Sequence, residues 1–313
     1  YADERWDEAA SAYRRLYDAA PTKTGREEAM KGYVRATVAG GDGAKIAAMA
    51  ADVCGHDDAG AAALREAKNR GAHTVSIVNV VESTIARESD DVIYTMAGPE
   101  IAVATTKAFS AQLAAVYLLA LRLSRAVGRL DESEEKRHCE ALLRLPEQIE
   151  QILENEELFK PVAERFSKAS SIFFIGRGLD YSISLEGSLK LKEISYIKSE
   201  AYAAGELKHG TISLIEPGTP VFAVATQPDL FEKTLGNIRE VKSRGAYVAA
   251  LVGENCENAG EFSDVAIKVP STLPEYMPSL NVVPLQLIAY FTAVERGCDV
   301  DKPRNLAKSV TVE

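Results

Sequence analysis

Two hydrophobic rhythms alternate along this chain. Short, nearly unbroken apolar runs, TVSIV (74–78), IFFI (172–175), VFAVA (221–225) and YVAALV (247–252), predict strands. They are β-branched and aromatic, as strands covered on both faces of a parallel sheet require. Between them lie longer stretches with apolar residues every three or four positions, closed by basic residues and Gly in KNRG (68–71) and KSRG (242–245), the signature of helix ends. The stretch DESEEKRHCEALLRLPEQIEQILENEELFKPVAERF (131–166) reads as amphipathic helices with a solvated charged face. Near the start, Trp6, Ala9, Ala10, Tyr13 and Tyr17 recur at helical spacing and read as core contacts.

The pattern repeats. REAKNRGAHTVSIV (65–78) recurs 174 positions later as REVKSRGAYVAALV (239–252). Asp91 before VIYTM parallels Asp264 before VAIKV, Pro99-Glu100 parallels Pro274-Glu275, and Gln112-Leu113 parallels Gln286-Leu287, both read as helix starts. A repeat of this length points to duplication of one α/β unit. We expect two doubly wound parallel-sheet domains: residues 1–130, a helical connector at 131–168, and residues 169–313. The second copy opens with a strand at 171–175, whose counterpart falls at or before residue 1. The first domain is therefore expected to lack its opening strand and turn, and its second strand falls on IAAMAAD (46–52).

Composition narrows the class. The chain has 313 residues, 46% hydrophobic and 26% charged, enough to bury an ordinary core, with a formal charge of −10. That charge argues against nucleic acid or a general membrane surface as partner, while leaving room for a local basic pocket. Cys54, Cys139, Cys256 and Cys298 are scattered, without a CxxC pair or a disulfide framework, which fits a reducing, cytoplasmic location. The apolar run taken as longest, Leu113–Leu121, is too short to span a bilayer. No signal peptide is legible, and the opening on Tyr1 rather than Met suggests a processed or excised piece.

Candidate chemistry concentrates in three places. In LEGSLKLKEISYI, Glu186, Lys190 and Glu193 fall at i, i+4 and i+7 on one side of a helix. They form either a solvated ion-pair ladder or an acid/base group, and the apolar residues around them favour partial burial. His209, in ELKHG, titrates near neutrality on a backbone loosened by Gly205 and Gly210. Lys308 lies among small and β-branched residues, where an amine held against a pocket attacks a carbonyl, or else simply projects from a terminal strand. The Gly176-Arg177-Gly178 turn offers backbone N–H groups to an anion, or is only a tight turn. AGPEIAVATTKAF (97–109) runs into a helix start whose Thr105 or Thr106 caps it or faces a polar ligand. CGHDD (54–58) has no second ligand cluster for a metal, and GGDG (40–43) reads as a plain turn.

The segments GRGLDYSISLEGSLKLKEISYIKSEAYAAGELKHGTISLIEPGTPV, AGPEIAVATTKAF and DKPRNLAKSVTVE closely resemble the isomerase half of the glutamine:fructose-6-phosphate aminotransferases, from about Gly60 to Glu313. The resemblance implies two SIS domains acting on fructose 6-phosphate or glucosamine 6-phosphate, in a homodimer, with a glutaminase domain elsewhere in the full-length protein. It further implies that Glu193 moves a proton between C1 and C2, assisted by Lys190. His209 would open the sugar ring in a neighbouring subunit's site. Lys308 would form a Schiff base, and Val103, Thr105 and Ala307 would line the sugar. This chemistry needs no metal and no organic cofactor.

Two features depart from that family. Its phosphate loop S-Q-S-G-E-T falls on DVCGHD (52–57), keeping only Gly55, and Asp52 and Asp57 would repel a dianion. Its C-G-T-S turn has no counterpart near the N-terminus. A non-catalytic sugar-phosphate-binding or scaffold fragment therefore stands as the alternative to an active isomerase, and a related sugar-phosphate deaminase as a third reading.

Overall fold

Burial on both faces explains the strands best. In a computed structural model, which describes residues 57–306, the apolar runs become β3 (Ser171–Gly176), β5 (Pro220–Ala225) and β6 (Tyr247–Gly253). With β4 (Lys198–Ala203) and β7 (Val265–Val269) they form a parallel sheet ordered β4-β3-β5-β6-β7. Chain order reverses direction across β3 and β5, the switch point of a doubly wound fold. Strands β1 (Val75–Val78) and β2 (Asp91–Tyr94) pair in parallel in a separate sheet. Two compact units result, one holding residues up to Gly98 with Ala111–Leu119, the other Pro99–Ser110 and the chain from Ala120 onward.

The helices follow the predicted rhythm. In chain order they are α1 (Asp57–Asn69), α2 (Thr84–Glu88), α3 (Lys107–Ala126), α4 (Glu132–Glu154), α5 (Lys160–Ser167), α6 (Leu179–Ser195), α7 (Phe231–Ser243), α8 (Ala259–Phe262) and α9 (Met277–Glu295). One face of the five-stranded sheet is covered by α7, α8 and the turn Ala204–His209. There Phe173, Ile175, Val221 and Ala223 meet Leu207, Leu235, Ile238 and Phe262. Alternate strand residues point to the other face. Phe174 packs against Phe222, and Phe222 against Phe166 of α5. Helix α9 packs on α5, α6 and α4, and α6 packs on β3 and β4.

The duplication extends to individual contacts. Helices α1 and α7 are both thirteen residues long and start 174 positions apart. Lys68 bonds Asp90 at 2.9 Å as Lys242 bonds Asp264 at 2.7 Å. Asp90 accepts from the Thr74 N–H and Asp264 from the Val248 N–H, again at that offset. Asp90, not Asp91, is thus the true counterpart of Asp264. Both Gln-Leu pairs lie inside their helices, which begin earlier, at Lys107 and Met277.

Two expectations change. The longest uncharged apolar stretch belongs to α9: Pro274–Glu295 is long and apolar enough to cross a membrane, but 72% of its apolar window is buried within the protein, as in a core helix. The helix start at Lys107 has no cap from the Thr106 hydroxyl; Glu100 accepts from the Thr106 and Ala108 N–H groups. The strand expected at 46–52, the 52–56 part of the phosphate-loop segment, Ala307 and Lys308 lie outside the described residues.

Candidate active site

Helix α6 is charged along one side yet covered there. Gly187 lets it approach α9 closely, since a Cβ at that position would stand 2.9 Å from Leu285 Cδ2. The apolar Ile183, Leu191 and Ile194 are buried, and Glu186, Lys190 and Glu193 share the side between. Their side chains are only 13%, 5% and 23% exposed. Lys190 Nζ lies 2.6 Å from Glu193 Oε2 and 3.6 Å from Glu186 Oε1. A solvated ladder is thereby excluded. Burial pushes the Glu186 carboxyl above its usual range, the Lys190 cation opposes that, and the Glu193 charge adds to it. Glu193 Oε2 is buried and meets the Lys190 ammonium as an ion pair at 2.6 Å. One cation shared by two carboxylates, one of them reaching the surface, is suited to accepting and returning a proton.

The C-terminal segment is tied to the end of the same helix. Arg296 donates to the carbonyls of Ser195 and Ser167, at 3.0 and 2.7 Å, satisfying groups that end α6 and α5. Asp299 accepts from the N–H groups of Asp301 and Lys302, forming a turn. Beyond it, the Arg304 N–H donates to the Tyr196 hydroxyl at 2.8 Å, and the Arg304 guanidinium stands 4.2 Å over the Tyr196 ring. Tyr196 occupies the left-handed region (φ 62) where α6 stops, a position that costs a side-chain-bearing residue ~1 kcal/mol and where glycine is usual. Val103 donates its N–H to the Asp301 carbonyl at 3.0 Å, so the loop carrying Val103 and Thr105 joins this cluster.

His209 lies elsewhere. It ends the turn Ala204–His209, exposed, on the face covered by α7, and its neighbour Lys208 reaches Glu240 of α7 at 3.5 Å. Helix α6 lies on the opposite face. Val103 is bonded to Asp301 and Arg304 to Tyr196, at the end of the helix that carries Lys190 and Glu193, whereas His209 lies on the other face of the sheet.

The switch point is filled from within. Gly176 is obligatory, because a Cβ there would stand 2.5 Å from the Asp180 carbonyl carbon, and Gly178 takes φ 56. The turn brings Asp180 to the loop after β5. Its carboxylate accepts from Thr226 N at 2.7 Å, Thr226 Oγ1 at 2.6 Å, Gln227 N at 3.1 Å and Asn281 Nδ2 at 3.2 Å. Burial pushes this carboxyl's pKa up while those donors pull it down. The Asp180 side chain thus occupies the amides of Thr226 and Gln227 in the loop after β5. A surface hollow of about 530 Å³, lined by Arg165, Lys168, Lys198, Glu200 and Glu216 among others, includes none of the candidate residues. No group of three His, Cys, Asp or Glu among the described residues could hold a metal ion.

Tyr196 and Asp180 were not singled out from sequence. An acidic residue just after a Gly turn was a usable sign for Asp180, whereas nothing local links Tyr196 to a residue more than a hundred positions away.

A parallel sheet in this order, with both faces layered and a duplicated unit, defines an SIS-domain protein. The SIS domain family matches residues 49–122 and 165–296, and the chain belongs to that family. It is similar to glutamine–fructose-6-phosphate aminotransferase (isomerizing) of Caldanaerobacter subterraneus subsp. tengcongensis, 54% identical over 252 residues, covering 80% of this chain and 41% of that protein. Its fold matches the C-terminal domain of glucosamine-fructose-6-phosphate aminotransferase from Francisella tularensis, with a TM-score of 0.75 and 35% identity over 79% of this chain and 70% of that one. Glucosamine-6-phosphate deaminase from Thermotoga maritima matches with a TM-score of 0.60 and 26% identity, over 80% and 70%. The chain thus spans 41% of the length of the first relative.

Proposed function

We propose that this chain is the isomerase portion of an isomerizing glutamine–fructose-6-phosphate aminotransferase. It converts fructose 6-phosphate and ammonia to glucosamine 6-phosphate in cytoplasmic amino-sugar biosynthesis, with a glutaminase domain of the full-length protein supplying the ammonia. The observation that carries this reading is the buried Glu186–Lys190–Glu193 group on α6, the helix whose C-cap residue Tyr196 holds Arg304.

The steps follow from the side chains. His209 opens the sugar ring by passing a proton between the ring oxygen and the anomeric hydroxyl. The neutral Lys308 amine adds to the C2 carbonyl, water leaves, and an imine forms; ammonia then displaces the lysine, leaving an imine at C2. Glu193 removes a proton from C1 and returns it to C2 while the C1 hydroxyl proton passes to the imine nitrogen, yielding the 2-amino aldose, and Lys190 steadies the carboxylate charge. Val103, Thr105 and Ala307 line the sugar. The position of His209 across the sheet from α6 supports its donation into the site of a second copy, hence a homodimer.

The test is calorimetry with fructose 6-phosphate and glucosamine 6-phosphate, followed by mass-spectrometric detection of glucosamine 6-phosphate formed with ammonium. Binding and turnover are expected; no detectable binding at millimolar ligand rejects an active module. The aspartates at 52 and 57 favour one rival, a sugar-phosphate-binding or scaffold fragment without turnover. Binding without product would support it.

A further inference from the structure

We infer that Tyr196 is a positioning residue, which with Arg304 clasps the C-terminal segment to the end of α6 and so sets where the Lys308 amine meets the substrate carbonyl. This inference rests on the Schiff-base reading of Lys308. The motivating observation is a misfit. Where α6 ends in the left-handed region, glycine would fit without strain, yet the chain places a tyrosine there. Strain of this kind persists where the side chain has work that offsets it.

The tyrosine's contacts define that work. Its hydroxyl accepts the Arg304 N–H at 2.8 Å, and its ring lies under the Arg304 guanidinium at 4.2 Å. One residue thus grips the segment by its backbone and by its side chain. The grip lies close to the chemistry on both sides. Tyr196 follows Glu193 by three residues, a rise of ~4.5 Å along a helix. Lys308 follows Arg304 by four residues, a reach of at most ~14 Å. The buried Pro303, the Asp299 turn and the Val103 bond hold the segment's other side. With the clasp open, the four residues before Lys308 would swing from a more distant anchor, and a displacement of about 1 Å at a reacting group is enough to cost about a hundredfold in rate.

The experiment uses the whole chain incubated with fructose 6-phosphate and borohydride, which delivers hydride to the imine and leaves a stable secondary amine. Peptide mass spectrometry reads the adduct on Lys308, and hydrogen exchange reads the amides of residues 301–306. Tyr196→Gly is expected to melt at or above the wild-type temperature while trapping falls about tenfold or more. Arg304→Met falls likewise, and Arg304→Lys, which keeps a cation over the ring, restores most of the rate. Faster exchange at 301–306 should accompany each loss. Wild-type trapping in both Tyr196→Gly and Arg304→Met would overturn the positioning role, and unchanged exchange would overturn the clasp itself. If the wild-type chain forms no adduct on Lys308, the Schiff-base reading falls and the positioning role with it, whereas the exchange comparison still decides whether the clasp exists.

Discussion

Two Glu–Lys pairs at the same i, i+4 spacing have opposite fates in this molecule. Glu164 and Lys168, at the end of α5, meet at 2.7 Å with both side chains more than 60% exposed. Glu186 and Lys190, in α6, lie 3.6 Å apart with both nearly enclosed and a second carboxylate, Glu193, at 2.6 Å from the lysine. Helical spacing dictates that the partners meet; only the surrounding packing dictates whether water screens them. Among the described residues Lys168 and Glu164 stay exposed, whereas α6 is drawn onto α9 at Gly187 and onto β3 and β4. The first pair is a surface contact. The second is a charge imbalance held inside the protein, which is the kind of group that chemistry uses.

The contrast can be broken from its buried side first. Replacing Lys190 by Met removes the one cation between two enclosed carboxylates, and should cost about 3 kcal/mol or more, since a buried charge left without its partner retains its full desolvation penalty. Urea unfolding would read this as a lower midpoint; an unchanged midpoint would mean that the carboxylates are hydrated after all.

The pH dependence should differ in sign between the pairs. The Glu186 carboxyl is raised by burial, so the folded state holds a proton that the unfolded chain has released. Its contribution is present below the unfolded pKa and is lost as pH rises through the folded one. Glu164 is lowered by its bond to Lys168, so its contribution is present above the unfolded pKa and is lost as pH falls through the folded one. Thermal melts from strongly acidic pH upward should therefore show that Glu186→Gln flattens a decline in stability with rising pH, and that Glu164→Gln flattens a rise confined to the acidic end. The same sign in both variants would contradict the difference in burial. Smallest of all, Lys168→Met should leave the unfolding midpoint within experimental scatter, as exposed pairs generally do.

These fates also mark what a sequence discloses. The duplication was legible because REAKNRG and REVKSRG keep both their helix-ending chemistry and their spacing, and the contacts Lys68–Asp90 and Lys242–Asp264 repeat it in space. The ladder at 186, 190 and 193 was legible as spacing, and its apolar neighbours pointed to partial burial; the extent of that burial was not legible, because it depends on α9, some hundred residues further on. The apolar stretch of α9 was overlooked in favour of Leu113–Leu121, although it is the element that covers α6. A Thr105 or Thr106 cap was one reading of the start of α3; the Thr106 hydroxyl makes none, and a carboxylate from six residues earlier accepts the Thr106 N–H. The tyrosine grip on Arg304 links residues 108 positions apart, with no local pattern to announce it.

The central claim is that the enclosed Glu193 carboxylate moves a proton between adjacent carbons of a ketose phosphate. It is tested most directly by incubating the chain with fructose 6-phosphate in deuterated water and following label at C1 and C2 by proton NMR, beside Glu193→Gln. Label should enter the sugar with the wild-type chain, and the variant, still folded, should be slower by about a hundredfold or more. Equal labelling rates in the two proteins, or no labelling by the wild-type chain at saturating sugar, would contradict it.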